Sequence, residues 1–230
     1  TGDEQPPDKA MKSNETKFGK DDEKLIRRSA VIAEIYSSDK ESIIEAFISN
    51  PKHLTTLWKM LEKPQLFKVI PYVQIFAKIN ETMLTRRTEQ FLNFIRRNVN
   101  LVDLFVRTNV DISLLNEFLI KLVITDRVHK PTGIIDLLME QNLIQNVLNL
   151  IDDKYPFFIR EFAGDMIKNL ISFSTYASEN ENEDSYIIGP NNLTRELVSY
   201  KSVWKMANRL KQGGKTLFIL VDIIVELIRK

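Results

Sequence analysis

The residues RRNVNLVDLFVRTNVDISLLNEFLIKLVITD, Arg96 to Asp126, decide the fold. They read as two consecutive amphipathic helices with a tight polar turn, Thr108–Val110, between them. Asn100 can cap the first helix, and Asp103 lies in its acid-favouring first turn. Leu101, Val102, Leu104, Phe105 and Val106 leave that helix little polar surface, so it is largely buried. In the second helix Ile112, Leu115, Phe118, Leu119, Leu122 and Val123 make the main apolar stripe. Leu114, Ile120 and Ile124 add apolar surface away from it, and the outward face narrows to Ser113, Glu117 and Lys121. A helix apolar over most of its circumference is sandwiched between neighbours, as the middle helices of a stacked solenoid are.

Toward the N-terminus the same kind of unit continues. Residues 1–20 carry Pro6-Pro7 and no periodicity, and read as a disordered linker or tail. A helix starts near Asp21 and ends near Tyr36. Ser38-Asp39-Lys40-Glu41 matches a capping box opening the helix of Ile43, Ile44, Phe47 and Ile48. Asn50-Pro51 stops that helix and starts one whose face is Leu54, Leu57, Trp58 and Leu61. Pro71 lies inside the next apolar pattern and either kinks a helix or separates two short ones. Thr85 to Arg97 is then a further helix.

Toward the C-terminus Pro131-Thr132-Gly133 is a break, followed by short helices over Ile134–Gln141 and Leu143–Ile151. Pro156 opens a long helix from Phe157 to about Thr175. Residues 176–192 form the one long loop, with an acidic centre at Glu179–Asp184. The last helices run over about Leu193–Leu210 and Lys215–Arg229, separated by Gly213-Gly214 as a left-handed C-cap. No stretch reads as a strand. About twelve helices, recurring as pairs roughly 40 residues apart, predict an all-α fold, an irregular HEAT/armadillo-like helical-repeat superhelix over 21–230. A compact helical bundle is the alternative.

Composition narrows the function classes. The 32 basic and 31 acidic residues leave a net charge of +1, which offers no global basic field for nucleic acid or an anionic membrane. The absence of cysteine excludes disulfides, thiolate zinc sites and cysteine nucleophiles. The N-terminus has no apolar signal core. The most apolar run, Leu217–Ile228, is short and carries Asp222 and Glu226, so no membrane span is expected. The chain begins without Met and reads as a piece of something longer.

Motifs that could carry chemistry do not hold together. Gly213-Gly214-Lys215-Thr216 ends like a phosphate-binding loop, but the position where the motif needs its first glycine is Arg209, in a helix. His53 and His129 are far apart, and neither has a second ligand at helical spacing. The acid pairs Asp21-Asp22, Asp152-Asp153 and Glu183-Asp184 fall in loops or helix starts, where they complement helix dipoles. The glycosylation sequons at Asn14, Asn80 and Asn192 are read as chance matches. No catalytic, cofactor-binding or metal-binding residue is therefore assigned, and no cofactor is expected. Arg86-Arg87, Arg96-Arg97 and Arg107 are different. In a solenoid, corresponding helix edges line up into a ridge, where arginines grip an acidic partner by bidentate contacts. An ordinary solvated face with local ion pairs is the competing reading. These five arginines are the candidate protein-binding residues.

From about Asp22 onward the order of segments resembles the SAPS-domain family of phosphatase-associated regulatory subunits. The resemblance rests on PKHLTTLWKMLEKPQLFKVIPYV, RRTEQFLNFIRRNVNLVDLFVRTNVDISLLNEFLIKLVI, GIIDLLMEQNLIQNVLNLI and NNLTRELVSYKSVWKMANRL, in that order. It implies a core fragment of a fungal member, a non-catalytic subunit that binds a 2A-like serine/threonine phosphatase catalytic subunit of the protein phosphatase 6 class. It also implies a link to cell-cycle progression and a place in the cytoplasm, with the nucleus as a second compartment. Partners are then the phosphatase and other proteins, with neither nucleic acid nor membrane. A helical-repeat adaptor for another cargo, such as a trafficking factor, would have the same sequence features.

Overall fold

A computed structural model describes residues 20–229 apart from 37, 39, 68–69, 128–129 and 175–187. Among the described residues there are thirteen α-helices and no strand. The tail over residues 1–19 and the acidic centre at 179–184 lie outside the described residues. The first helix, α1, covers Lys20–Tyr36. The others group in threes. The first unit contains α2 (Glu41–Ile48), α3 (Pro51–Trp58) and α5 (Ile70–Arg86), with a 3-10 turn at Lys59–Glu62 and the short α4 (Pro64–Phe67) between the last two. The second contains α6 (Thr88–Asn98), a π-helical segment (Val102–Thr108) and α7 (Ser113–Ile124). The third contains α8 (Ile134–Glu140), α9 (Leu143–Leu150) and α10 (Phe157–Phe173). The fourth contains α11 (Asn192–Leu197), α12 (Tyr200–Gln212) and α13 (Thr216–Arg229).

The last helix of each unit, with α1, forms one row of long helices: α1 packs on α5, α5 on α7, α7 on α10 and α10 on α13. The remaining helices form the second row: α3 packs on α6, the π-helical segment on α9, α8 on α11 and α9 on α12. The joint between the second and third units (α6 on α8, the π-helical segment on α9, α7 on α10) is repeated between the third and fourth (α8 on α11, α9 on α12, α10 on α13), as a helical-repeat stack requires. The expected helix pairs are in fact helix triplets of the armadillo kind.

The repeat length can be read from side-chain bonds between units. Lys121 to Glu81, Val102 to Gln141, Arg107 to Asn146 and Arg96 to Thr132 bridge 40, 39, 39 and 36 residues. Between the third and fourth units, Gln145 to Ser202 and Lys205 to Gln145 bridge 57 and 60. The lengthening reflects the insertion after α10, whose two ends are tied together where the Ile188 amide donates to the Phe173 carbonyl at 2.8 Å.

The core centres on Trp58. Its ring stacks on Phe105 with centroids 5.7 Å apart and meets Phe76 edge-on at 5.3 Å. Phe91, Phe94 and Phe118 complete the cluster at 6.5 Å each. The indole N–H donates to Asn80 Oδ1 at 2.9 Å, and Asn80 Nδ2 donates to the Phe76 carbonyl, so the buried polar groups are satisfied. That burial is the account of Asn80, rather than a sugar chain.

Several local expectations hold. Asn100 Oδ1 accepts from the Asp103 amide at 2.9 Å, and α7 exposes Ser113, Glu117 and Lys121 while burying its stripe. Gly213 and Gly214 both adopt left-handed φ, +72° and +80°. Others are corrected. Ser38 does not cap α2, because its hydroxyl turns back to the Ile35 carbonyl at the end of α1. Pro71 sits at the start of α5, where its missing amide costs nothing. Thr85 belongs to α5, and the next helix starts only at Thr88, after a break at Arg87. The expected helix over 193–210 is two helices, because Ser199 breaks it and caps α12 through the Ser202 amide.

Candidate partner-binding face

The row of long helices presents a groove of about 740 Å³ between α5, α7 and α10. Leu84, Ile120, Ile124 and Phe173 line its apolar floor, while Glu117, Arg127 and Asn169 stand at its walls. It exists because successive long helices lie side by side, so the C-terminal halves of α5 and α7 face the end of α10. The Lys121–Glu81 pair crosses it and fixes the register of α7 on α5. Both partners are about half exposed, so the pair sets geometry more than stability.

A second depression of about 320 Å³ lies between α10 and α13, lined by Phe158, Phe162 and Ile219 with Glu161, Asp165 and Asp222. Lys168 sits among these acids. Its hydrogen bond to Asp165 holds its pKa above the usual lysine value, with Asp222 and Glu226 adding to the effect against the cost of burial. The row is thus mixed in charge along α5 and α7 and acidic between α10 and α13.

The opposite row is held by cations that reach between units. Burial pushes the pKa of Lys205 down, with Arg209 and Lys201 adding repulsion. Its ammonium donates to Gln145 Oε1 at 3.2 Å. Burial also lowers Arg209, partly offset by Asp152, and its guanidinium donates to the Leu148 carbonyl at the end of α9. In the row of long helices, Arg160 of α10 is buried and ties Asp153 to Thr216 at the start of α13. That bond ends the phosphate-loop resemblance: the threonine hydroxyl of Gly-Gly-Lys-Thr faces a carboxylate and a guanidinium inside the stack.

The five candidate arginines occupy different places. Arg87 lies between α5 and α6 and pairs back to Glu41 and Glu45 of α2. Arg96 donates to the Thr132 carbonyl at 2.7 Å and to Asn93 Oδ1 at 2.7 Å. Arg107 donates to Asn146 Oδ1 at 3.1 Å and pairs with Asp103. Arg86 is exposed at the end of α5 and also has a partner within the chain. Arg97 is exposed in the last turn of α6. Three of the five therefore bridge neighbouring units.

One residue missed in the sequence organises this region. Asp126, just past α7, is buried, and its carboxylate accepts from three amides: Thr132 at 2.6 Å, Gly133 at 3.2 Å and Ile135 at 2.7 Å. It caps α8 from the preceding unit. Arg96 grips the same turn, so the second and third units are clamped at one point.

Among the described residues no group of three or more His, Cys, Asp or Glu is placed to hold a metal ion, and no helix is long and apolar enough to cross a membrane. His53 stacks on Phe47, and His129 lies outside the described residues. What the faces offer is shape, apolar floor and fixed charge.

The family model described as "SAPS: SIT4 phosphatase-associated protein" matches residues 80–230. The chain belongs to the SAPS family. Among SAPS relatives, the SIT4-associating protein SAP155 of Saccharomyces cerevisiae is 39% identical over 208 residues, covering 89% of this chain and 20% of the relative. The SIT4-associating protein SAP4 of the same yeast is 39% identical over 213 residues, covering 91% of this chain and 25% of the relative. The extragenic suppressor of kinetochore protein 1 of Schizosaccharomyces pombe is 33% identical over 209 residues, covering 89% and 24%. The chain thus spans a fifth to a quarter of the length of these fungal SAPS proteins. No solved structure matches it. The SAPS match begins inside α5 and covers the groove walls from Glu81 onward.

Proposed function

We propose that this chain is the helical-repeat part of a non-catalytic regulatory subunit. That subunit binds a 2A-like serine/threonine phosphatase catalytic subunit of the protein phosphatase 6 class and directs its substrate choice. The observation that carries the reading is the alignment of about nine-tenths of the chain with proteins named for association with SIT4. The architecture supports it, because a stack of triplets is a rigid scaffold with long faces. Residues 21–230 act as one scaffold domain in this reading.

The groove on α5, α7 and α10 is the contact surface we assign, with Arg97 at the exposed end of α6 as an additional contact. Arg87, Arg96 and Arg107 contribute indirectly, by holding the units in register. The link to cell-cycle progression rests on the name of the fission-yeast relative. The cytoplasm is the place of work in this reading, with the nucleus as a second compartment.

The test is affinity capture from a fungal lysate, with the 230-residue chain and the intact cellular polypeptide as separate baits. Recovery of a 2A-type catalytic subunit on either supports the proposal. Its absence from both, with other proteins recovered, overturns it in favour of an adaptor for other cargo.

A further inference from the structure

The fourth unit carries an apolar surface that nothing described covers. On α13, Ile219, Leu220 and Ile223 are buried, and Ile219 meets α10 at Gly164. On the opposite side Phe218, Val221, Val225 and Ile228 make a second stripe at i, i+3, i+7 and i+10. Phe218 is 72% exposed and Ile228 79%. Beside it, on α12, Tyr200 and Trp204 stack on each other at 6.1 Å, 82% and 53% exposed. α12 packs directly on α13.

An outward helix face has no reason to carry such a stripe, and contiguous exposed apolar area marks an interaction surface. The stack itself says what kind. In the second unit, α7 is also apolar on two sides, and both are covered, by α5 before it and α10 after it. The third unit is covered in the same way, with α8, α9 and α10 each packed under a helix of the fourth. The fourth unit repeats the apolar pattern of its predecessors without that cover.

We infer that the outer face of α12 and α13 is a stacking surface. Its occupant is a further armadillo-type helical unit of the same polypeptide, continuing the interface that α10 makes with α13. The relatives are long enough to supply one, since the matched region fills only 20–25% of their length. The surface is separate from the groove on α5, α7 and α10, and the inference stands whether or not the phosphatase reading does.

The chain has no cysteine, so Val225→Cys places a single thiol on the stripe. Maleimide labelling at residue 225 is read by peptide mass spectrometry in the 230-residue chain and in the intact cellular polypeptide. Glu89→Cys, at an exposed position in the first turn of α6, is the control. Residue 225 is expected to label at least about tenfold more slowly in the intact polypeptide, with residue 89 unchanged, because a covered thiol reacts only on local opening. A short thiol-to-amine cross-linker at residue 225 should then join it to a helical segment of its own chain. Equal labelling of residue 225 in the two proteins overturns the inference. So does a cross-link to a second copy or to a phosphatase catalytic subunit.

Discussion

Removing the Asp126 carboxylate should weaken the joint between the second and third units more than any other single polar change. The Asp126→Ala variant strips one acceptor from three amides, two of them at 2.7 Å or shorter. Loss of an N-cap alone costs about 1 kcal/mol, and a hydrogen bond to a charged group is worth about 1.5–3 kcal/mol. Some of that is recovered, because the turn at Pro131 is exposed and water can reach the Thr132 and Gly133 amides. The Ile135 amide belongs to a buried residue and cannot be reached so easily. The net expectation is a loss of about 3 kcal/mol, which in a chain of this size lowers Tm by roughly 6–12 °C. Asp126→Asn keeps one good acceptor and should lose about half as much. The assay is urea unfolding followed by circular dichroism, with the slope of the transition compared between variants. A loss under about 0.5 kcal/mol for Asp126→Ala, which is the range of ordinary surface changes, would refute the assignment of this carboxylate as an inter-unit clamp.

Three further outcomes follow from the packing. Gly164→Ala puts a Cβ at 2.5 Å from Ile219 Cγ2, so the Ile219 side chain or the spacing of α10 and α13 must shift; a cost of about 1–3 kcal/mol is expected in thermal unfolding, and an unchanged Tm would disprove that close approach. Leu119→Asp buries a charge in the middle of α7 and should abolish cooperative unfolding, whereas Lys121→Ala loses a half-exposed pair and should cost under about 1 kcal/mol; similar melting curves for the two would reverse the facing of this helix. The chain has two tryptophans, so Trp204→Phe leaves only Trp58, whose emission should be blue-shifted and insensitive to acrylamide; strong quenching would contradict its burial among the phenylalanines.

How far the sequence could be read depended on how local each determinant was. The facing of α7 was legible because a helix buried on two sides leaves only a Ser113, Glu117, Lys121 strip for polar residues. The Gly213-Gly214 turn was legible because left-handed φ is a glycine property. The Ser38 box was misread because the same hydroxyl can serve the helix it leaves as well as the one it precedes. The break at Arg87 has no glycine or proline to mark it, and Arg87 is drawn back to Glu41 and Glu45, far away in sequence. The π-helical segment was also hidden: Asn109 closes it by donating to both Leu104 and Leu61 carbonyls, and the second of these belongs to another unit.

The candidate site was legible only in part, for the same reason. The arginines stood out as pairs on a helical pattern, but their partners are roughly a repeat away, so free ridge and structural bridge look alike in sequence. The groove is invisible in any one helix, because Leu84, Ile120 and Phe173 meet only after α5, α7 and α10 stack. Asp126 serves amides six to nine residues on, beyond the range of any capping signature.

The central claim is that the stack is a phosphatase-binding scaffold without catalytic chemistry of its own. The most direct measurement is calorimetric titration of a purified SIT4-type catalytic subunit with the intact cellular polypeptide, with phosphatase activity assayed on each component. Saturable one-to-one binding, with all activity residing in the catalytic subunit, is the predicted result. No heat of binding under conditions where both proteins are folded, or hydrolysis by the helical protein alone, would contradict the account.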